Sequence, residues 1–252
     1  MVSDRRTAIV TGGGSGIGLA IARELAQHSV DVTILGRRES ALAEAASSIG
    51  NGTEWVRADV GSRKDVQSAV QTVVERVGRI DILVNNAGFG RTITTATPIE
   101  EAESGWDEVQ NANLKGAFLM TMAVAPHLSR PGGRIVNISS IAAHTGGSGA
   151  GSLAYAAAKA GVLGLTFATA RELGGEGITV NAVAPGLIAD TQFFGADGLP
   201  EERLHRAVSQ IPAGRAGRVE DIASAVWYLV SPESSYVNGE VLGVNGGWLF
   251  GR

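Results

Sequence analysis

The order of hydrophobic and polar positions predicts a chain in which short buried strands alternate with longer helices. Seven short apolar runs bounded by glycine or polar residues are predicted to be strands: 7–11, 30–35, 54–58, 81–84, 134–139, 177–183 and 240–244. Helical spacing of apolar residues predicts helices at 17–28, 39–49, 63–77, 106–129, 153–173 and 219–230. This alternation is typical of a parallel sheet covered by helices on both faces.

We therefore predict the α/β class, with a single Rossmann-like, doubly wound parallel sheet of about seven strands. No internal repeat and no linker-like change of composition divides the chain, so residues 1–252 are assigned to one domain. Segment 190–211 interrupts the alternation and contains a short predicted helix at 200–210, which makes it a candidate lid. Segment 146–152 is glycine-rich and is predicted to be a loop.

Composition narrows the range of functions. With 21 basic and 25 acidic residues the formal net charge is −4, which gives no basic surface for nucleic acid or anionic membranes. Because the chain has no cysteine, disulfides, thiol catalysis and thiolate metal sites are excluded. No apolar run approaches the roughly 20 residues of a membrane span, and the first residues do not form a signal peptide. We therefore expect a cytoplasmic protein.

A glycine-rich turn, TGGGSGIG, follows the first predicted strand and precedes an amphipathic helix. Glycines permit positive φ and close approach of a ligand to the backbone, while a helix N-terminus offers free N–H groups to a pyrophosphate. The pattern is T-G-x-x-x-G-x-G rather than G-x-G-x-x-G, and a tight strand-to-helix connection is the alternative interpretation. Its position after the first strand of a βαβ unit favours dinucleotide binding.

The end of the second predicted strand favours NADP(H) over NAD(H). Where an NAD-binding protein usually carries an acid for the ribose 2′-hydroxyl, this chain has Gly36, followed by Arg37 and Arg38. The guanidinium of Arg37 is suited to hold a 2′-phosphate through paired hydrogen bonds. The alternative is two solvated arginines at the start of a helix.

A tyrosine and a lysine four residues apart, Tyr155 and Lys159, share one face of a predicted alanine-rich helix. A free tyrosine has a pKa of about 10 and is a poor general acid/base near neutrality. We expect Lys159, the positive charge of a nicotinamide and burial together to lower this pKa by about three units, or roughly 4 kcal/mol. The alternative is a packed tyrosine beside a surface lysine.

Five further motifs lie in a fixed order along the chain. They are Asn85-Asn86-Ala87-Gly88, Asn113, Ser140, Pro185-Gly186 and Asn245-Gly246-Gly247. Together with the glycine turn and the Tyr-Lys pair, they make the chain resemble the short-chain dehydrogenase/reductase family over nearly its whole length. Within that family it is most similar to 3-oxoacyl-acyl-carrier-protein reductases and related secondary-alcohol dehydrogenases. The resemblance implies an NAD(P)-binding oxidoreductase domain that interconverts a ketone and a secondary alcohol.

The resemblance also implies roles for four catalytic residues. Tyr155 would protonate the carbonyl oxygen and Ser140 would hydrogen-bond to it. Lys159 would bind the nicotinamide ribose, and Asn113 would hold a water molecule of a proton relay. Ser139 is the rival of Ser140, but side chains alternate along a strand, so only one of them faces the site. Ser140 precedes Tyr155 by fifteen residues where thirteen is usual, and we assign the two extra residues to loop 146–152, beside the substrate.

The cofactor site implied by the resemblance comprises the glycine turn and the loops that follow later strands. Its members are Gly12, Gly14, Ser15, Gly16, Ile17, Gly18, Arg37, Arg38, Asp59, Val60, Asn86, Ala87, Gly88, Tyr155, Lys159, Pro185, Gly186 and Ile188. Asp59 and Val60 would flank the adenine, and the backbone of Ile188 would meet the nicotinamide carboxamide. Where relatives often carry a threonine two residues after that position, this chain has Asp190, with Thr191 next.

The sequence also bears on metal-dependent, hydrolytic and non-catalytic functions. The four histidines show no metal-ligand spacing, so no metal is expected, but His144 borders loop 146–152 and is a candidate substrate contact. The absence of G-x-S-x-G disfavours a serine hydrolase. A sensor that binds NADP(H) without turnover is the main alternative, although it would have no use for a positioned proton donor. Epimerisation or dehydration through a transient hydride step remains open.

The chain is expected to form a homotetramer through the helices at 106–129 and 153–173. The second of these is apolar or small on almost every side, which is typical of a helix buried all round. The sequence Trp248-Leu249-Phe250 would be an exposed apolar patch at a free tail. The resemblance implies tetramers with two-helix interfaces and packed tails. A monomer whose lid covers both surfaces is the alternative.

Overall fold

A seven-stranded parallel sheet forms the centre of the protein. The computed structural model describes residues 5–189, 191 and 198–251. The strands are β1 (Thr7–Thr11), β2 (Asp31–Gly36), β3 (Glu54–Arg57), β4 (Ile82–Asn85), β5 (Arg134–Ile138), β6 (Thr179–Pro185) and β7 (Val241–Val244). They lie in the order β3-β2-β1-β4-β5-β6-β7, and every neighbouring pair is parallel. The predicted fold class is confirmed.

Helices cover both faces of this sheet. They are α1 (Gly16–Gln27), α2 (Glu39–Ile49), α3 (Arg63–Val77), α4 (Ile99–Gln110), α5 (Gly116–Val124), α6 (Ala142–Thr145), α7 (Leu153–Leu173), α8 (Glu201–Val208) and α9 (Val219–Val230). Side chains of α1, α2 and α9 form one core cluster with the sheet, and those of α3, α5 and α7 form another. Both faces of the inner strands are therefore covered, which explains why β1, β4, β5 and β6 are buried along their whole length, whereas the edge strand β3 is largely exposed.

The predicted helix at 106–129 is wrong at both ends. The helical run begins at Ile99, where Pro98 precedes an acidic first turn, and it continues through a π-helical turn, Asn111–Lys115, into α5. It ends in a short 3₁₀ turn that contains Pro126, whose ring does not fit an α-helix interior. Ile99 is 73% exposed and its neighbours are acidic, so the first turns carry no apolar stripe that the sequence pattern could reveal.

The segment Leu153–Glu176, which contains α7, is long and apolar enough to cross a membrane by length and composition alone. In the fold it lies on the sheet, where Val162, Thr166 and Ala170 are buried. A ladder of buried polar groups fixes it there. Asn85 Nδ2 donates to Asn137 Oδ1 at 2.9 Å, and Asn137 Nδ2 donates to Thr166 Oγ1 at 2.9 Å. This ladder ties β4, β5 and α7 together and sets the position of the helix that carries Tyr155 and Lys159.

The sheet also defines where a ligand would bind. From β1 the chain crosses to β2 on one side, and from β4 it crosses to β5 on the other, while β1 and β4 are neighbours. In open parallel sheets such a reversal leaves a crevice at the carboxyl ends of the strands. The glycine turn follows β1 and the Asn-Asn-Ala-Gly motif follows β4, so both lie at this crevice.

Candidate active site

The glycine turn connects β1 to α1 and is held against the loop after β4. Gly12 has φ +68°, and a Cβ there would crowd the side chain of Asn86. Asn86 Nδ2 donates to the carbonyl of Thr11 at 2.9 Å, and Thr11 Oγ1 accepts the backbone N–H groups of Asn86 and Ala87 at 2.9 and 3.0 Å. The two loops therefore form one continuous floor of the crevice.

The first turn of α1 is open to an anion. Ser15, the residue before α1, makes no side-chain hydrogen bond to that turn, so the N–H groups of the turn and the serine hydroxyl remain available. Ser15 and its neighbours Gly14, Gly16 and Ile17 are half-buried rather than sealed in the core. This arrangement fits the diphosphate of a dinucleotide, which is the role predicted for the turn.

Basic side chains lie at the carboxyl ends of β2 and β3. Arg37 and Arg38 follow β2 directly, and Arg57, the last residue of β3, donates through Nε to the carbonyl of Arg37 at 3.4 Å. Asp59 is exposed, and its side chain accepts the N–H of Gly61 at 2.9 Å. Val60 is buried in the core. That the Asp59-Val60 pair flanks an adenine stays a prediction.

The two serines after β5 make different contacts. Ser139 is buried, and its hydroxyl donates to the carbonyl of Lys159 at 2.9 Å, so it is directed into α7. Ser140 is half-buried; its hydroxyl accepts the N–H of Ala142 at 3.1 Å and is hydrogen-bonded to Tyr155. Of the two, Ser140 is therefore the one whose hydroxyl meets the tyrosine.

Tyr155 and Lys159 lie together, and burial shifts the pKa of each away from its ordinary value. Burial raises the pKa of Tyr155 to about 12, although the hydrogen bond from Ser140 opposes this rise. Burial lowers the pKa of Lys159 to about 8. Our expectation that burial helps to lower the tyrosine pKa was wrong, because a low dielectric disfavours the charged phenolate. The Lys159 ammonium lies 5.6 Å from the centre of the tyrosine ring and donates to the carbonyl of Ile138 at 2.8 Å.

Asn113 lies in the π-helical turn and is almost completely buried. Its Nδ2 donates to the carbonyls of Phe89 and Val109, both at 2.9 Å, while its Oδ1 is buried without a hydrogen-bond partner. A Cβ on Gly88 would overlap that oxygen and would come within 3.3 Å of Lys159 Nζ. A side chain at position 88 would therefore collide with the Asn113 amide and crowd the Lys159 ammonium.

The loop after β6 also begins at the carboxyl edge of the sheet. Pro185 ends β6, and Gly186 donates its N–H to the carbonyl of Val244 at 3.0 Å. Ile188 is buried and bridges to Gly217. Asp190 and residues 192–197 of the candidate lid lie outside the described residues, and α8 is the helix predicted at 200–210.

Two residues near the crevice are Thr191, for which the sequence predicted no role, and His144, which was only a candidate substrate contact. The Thr191 side chain lies 3.8 Å from the point that a Cβ on Gly16 would occupy, so the threonine displaced by one position still adjoins the glycine turn. The sequence alone could not predict this contact, because Asp190 occupies the position where relatives often carry the threonine. His144 lies on α6, and its Nε2 is buried without a hydrogen-bond partner. In the described part of the chain, no group of three His, Cys, Asp or Glu residues is placed to hold a metal ion.

The different contacts of the two serines give a first prediction. Ser140→Ala should lower kcat at least tenfold, because it removes the hydroxyl that reaches Tyr155, whereas Ser139→Ala should mainly lower thermal stability by breaking a buried bond to α7. Steady-state kinetics and a melting curve on both variants separate the effects. The reverse order of kcat losses would assign the serine role to Ser139.

Comparison with known proteins gives matches over almost the whole chain. A family model described as enoyl-(acyl carrier protein) reductase matches residues 12–249. The 3-oxoacyl-[acyl-carrier-protein] reductase FabG of Thermotoga maritima is 39% identical over 246 residues, which cover 96% of this chain and 97% of that protein.

Relatives with other activities are equally similar. A (2S)-[(R)-hydroxy(phenyl)methyl]succinyl-CoA dehydrogenase subunit, BbsD, of Thauera aromatica is 41% identical over 246 residues, 96% of each chain. The short-chain reductase protein NovJ of Streptomyces niveus is 39% identical over 254 residues, covering 98% of this chain and 95% of its own. Sequence identity alone therefore does not select one substrate among them.

Proposed function

Because the chain belongs to the short-chain dehydrogenase/reductase family of NAD(P)-dependent oxidoreductases, we propose that it reduces a ketone to a secondary alcohol, or catalyses the reverse, with NADP(H). The observation that carries this proposal is the hydrogen bond between the half-buried Ser140 and Tyr155, with the buried Lys159 beside the tyrosine ring. The whole chain, 1–252, is taken as one cofactor-binding domain that acts in the cytoplasm.

The proposed chemistry follows from the protonation states of the site. When bound, NADPH supplies a hydride to the carbonyl carbon. Tyr155, which is protonated near neutral pH and whose pKa burial raises further, donates its proton to the carbonyl oxygen, and the Ser140 hydroxyl hydrogen-bonds to the same oxygen. Reduction starts from this protonated form, but the raised pKa makes the phenol a weaker proton donor, so Lys159 and the cofactor charge have to oppose the effect of burial. Alcohol oxidation requires the phenolate and is expected to become faster as the pH rises.

Lys159 and Asn113 support this proton transfer. Lys159 Nζ keeps two donors beyond its bond to Ile138, and we assign them to the nicotinamide ribose and to a path for returning a proton to Tyr155. The orphaned Oδ1 of Asn113 is a buried acceptor near Lys159, which suits a group that fixes a water molecule or a ligand hydroxyl.

The substrate class is best tested directly. Incubation of the purified protein with NADPH and a panel of ketones, including 3-oxoacyl thioesters, should show consumption of NADPH with at least one ketone class. The relatives named for acyl-carrier and CoA substrates make a 3-oxoacyl thioester our first candidate. A protein that binds NADPH but reduces none of the panel would instead support the sensor alternative, which the intact Ser-Tyr-Lys set disfavours.

Cofactor preference is the second test of the proposed function. We expect kcat/KM to be higher with NADPH than with NADH, because Arg37 is available for the 2′-phosphate and no acid ends β2. Arg37→Asp should lower the NADPH/NADH ratio of kcat/KM about tenfold or more, since it removes a cation and adds a repelling charge. An unchanged ratio would assign this role to Arg38.

The proposal extends to a homotetramer. Phe118 and Met122 on α5, and Leu153 and Phe167 on α7, are each 45–59% exposed, and Phe250 in the tail is 75% exposed. Light scattering after size exclusion should give a mass of about 104 kDa, four times the chain mass of 25.9 kDa. A mass of about 52 kDa would indicate a dimer with only one of the two interfaces, and a mass of about 26 kDa would indicate a monomer and contradict the prediction.

A further inference from the structure

A contact between Arg37 and Phe89 crosses the crevice and has no part in the proposed mechanism. The guanidinium carbon of Arg37 lies 5.9 Å from the centre of the Phe89 ring. Arg37 follows β2 and Phe89 comes shortly after β4, and these two strands lie on either side of β1. The two side chains therefore meet at the carboxyl edge of the sheet, between the ends of β2 and β4.

The phenylalanine has a fixed position. Its carbonyl accepts a hydrogen bond from Asn113 Nδ2 at 2.9 Å, and its side chain packs against a small core cluster. That cluster consists of Ile93, Val109, Ala154 and Ala158. The Phe89 ring is thus held in place by packing against α4 and α7, and α7 also carries Tyr155 and Lys159.

Arg37 is exposed, unlike the half-buried Phe89. The Arg37 carbonyl accepts from Arg57 Nε at 3.4 Å, whereas its side chain spans the crevice. A free arginine side chain samples many rotamers, and their loss weakens binding when a ligand must immobilise the group. A cation within about 6 Å of an aromatic ring is attracted to its face, which reduces that rotamer freedom before a ligand arrives.

We propose that Phe89 is a positioning residue for recognition of the cofactor 2′-phosphate. Its ring holds the Arg37 guanidinium over the crevice, and so it increases the discrimination between NADP(H) and NAD(H) although it bears no charge. This inference rests on the proposed preference for NADP(H). An exposed cation–π contact corresponds to an effect of about two- to fivefold in binding.

The test measures binding of two cofactor fragments and needs no turnover. Calorimetry on the full chain gives the Kd for adenosine 2′,5′-bisphosphate and for 5′-AMP, which differ only in the 2′-phosphate. Phe89→Leu should lower the preference for the bisphosphate about two- to fivefold and leave AMP binding unchanged. Phe89→Tyr, which keeps an aromatic face, should retain the wild-type preference.

A double-mutant cycle shows whether Phe89 acts through Arg37. In an Arg37→Ala background, Phe89→Leu should have no further effect on the preference. The inference is overturned if Phe89→Leu leaves the preference unchanged, weakens both ligands alike, or acts equally in both backgrounds. If the wild type itself does not prefer the bisphosphate and Arg37→Ala has no effect, the proposed cofactor choice fails. If the wild type prefers the bisphosphate and this preference depends on Arg37 but not on Phe89, the proposed cofactor choice stands and only the role of Phe89 is overturned.

Discussion

Replacing Tyr155 by phenylalanine is expected to lower kcat by about 10²–10⁴-fold while leaving the Kd for NADPH nearly unchanged. The variant keeps the ring that packs beside Lys159 and loses only the hydroxyl that Ser140 contacts. Because the proton donor is required only during the reaction, the loss should appear in kcat rather than in cofactor binding. Steady-state kinetics and the quenching or enhancement of NADPH fluorescence measure the two quantities separately.

Tyr236→Phe is the matched control, because that tyrosine is fully exposed. It should retain wild-type kcat. If Tyr155→Phe keeps more than about a tenth of the activity, another group supplies the proton. If it loses cofactor binding as well, the phenol hydroxyl is chiefly a cofactor contact.

The topology was predictable because the sequence signal is local. Each buried strand is a short apolar run, and its alternation with helical patterns leaves a parallel doubly wound sheet as the natural arrangement. The pairing of Tyr155 with Lys159 was predictable for the same reason, since four residues along a helix place two side chains on one face. The helix start at Ile99 was missed because that turn is exposed and has no apolar stripe.

The electrostatic state of the site was not predictable in this way. The sequence places a lysine near a tyrosine, but the size of the desolvation effect depends on what covers both groups. In the fold, α7 is packed onto the sheet and the loops after β4 and β5 surround them, so burial raises the tyrosine pKa and lowers the lysine pKa. The cofactor charge and the Lys159 ammonium must therefore act against burial to produce a phenolate.

Contacts between distant segments form the other unpredicted group. Arg37 meets Phe89, and Thr191 adjoins Gly16, only because β1 has β2 and β4 as neighbours and the loop after β6 returns over the glycine turn. Neither pair is joined by a periodic pattern or a fixed spacing. Such contacts follow from the assembled crevice, and they are where a chain with common family motifs can acquire its own specificity.

Lys159→Met is expected to raise thermal stability at pH 7 while it damages both turnover and NADPH binding. In the folded chain the pKa of Lys159 is lowered from 10.5 to about 8, so at pH 7 the protein carries a buried ammonium that burial disfavours. Methionine removes this cost, although it also removes the hydrogen bond to the Ile138 carbonyl. We expect a net gain of about 1–2 kcal/mol, which corresponds to about 2–8 °C in Tm.

The pH dependence identifies the charge as the cause. Between pH 8 and 10.5 the unfolded chain keeps the lysine proton that the folded chain releases, so wild-type stability gains a contribution that grows with pH. The advantage of Lys159→Met should therefore shrink between pH 7 and pH 9.5. Measurements stay below pH 10, because above it the raised pKa of Tyr155 acts in the opposite direction. Lys64→Met, at an exposed lysine of α3, should show no such pH-dependent difference. If the advantage of Lys159→Met is equal at both pH values, it comes from apolar packing, and Lys159 would not be a destabilised cation kept for catalysis.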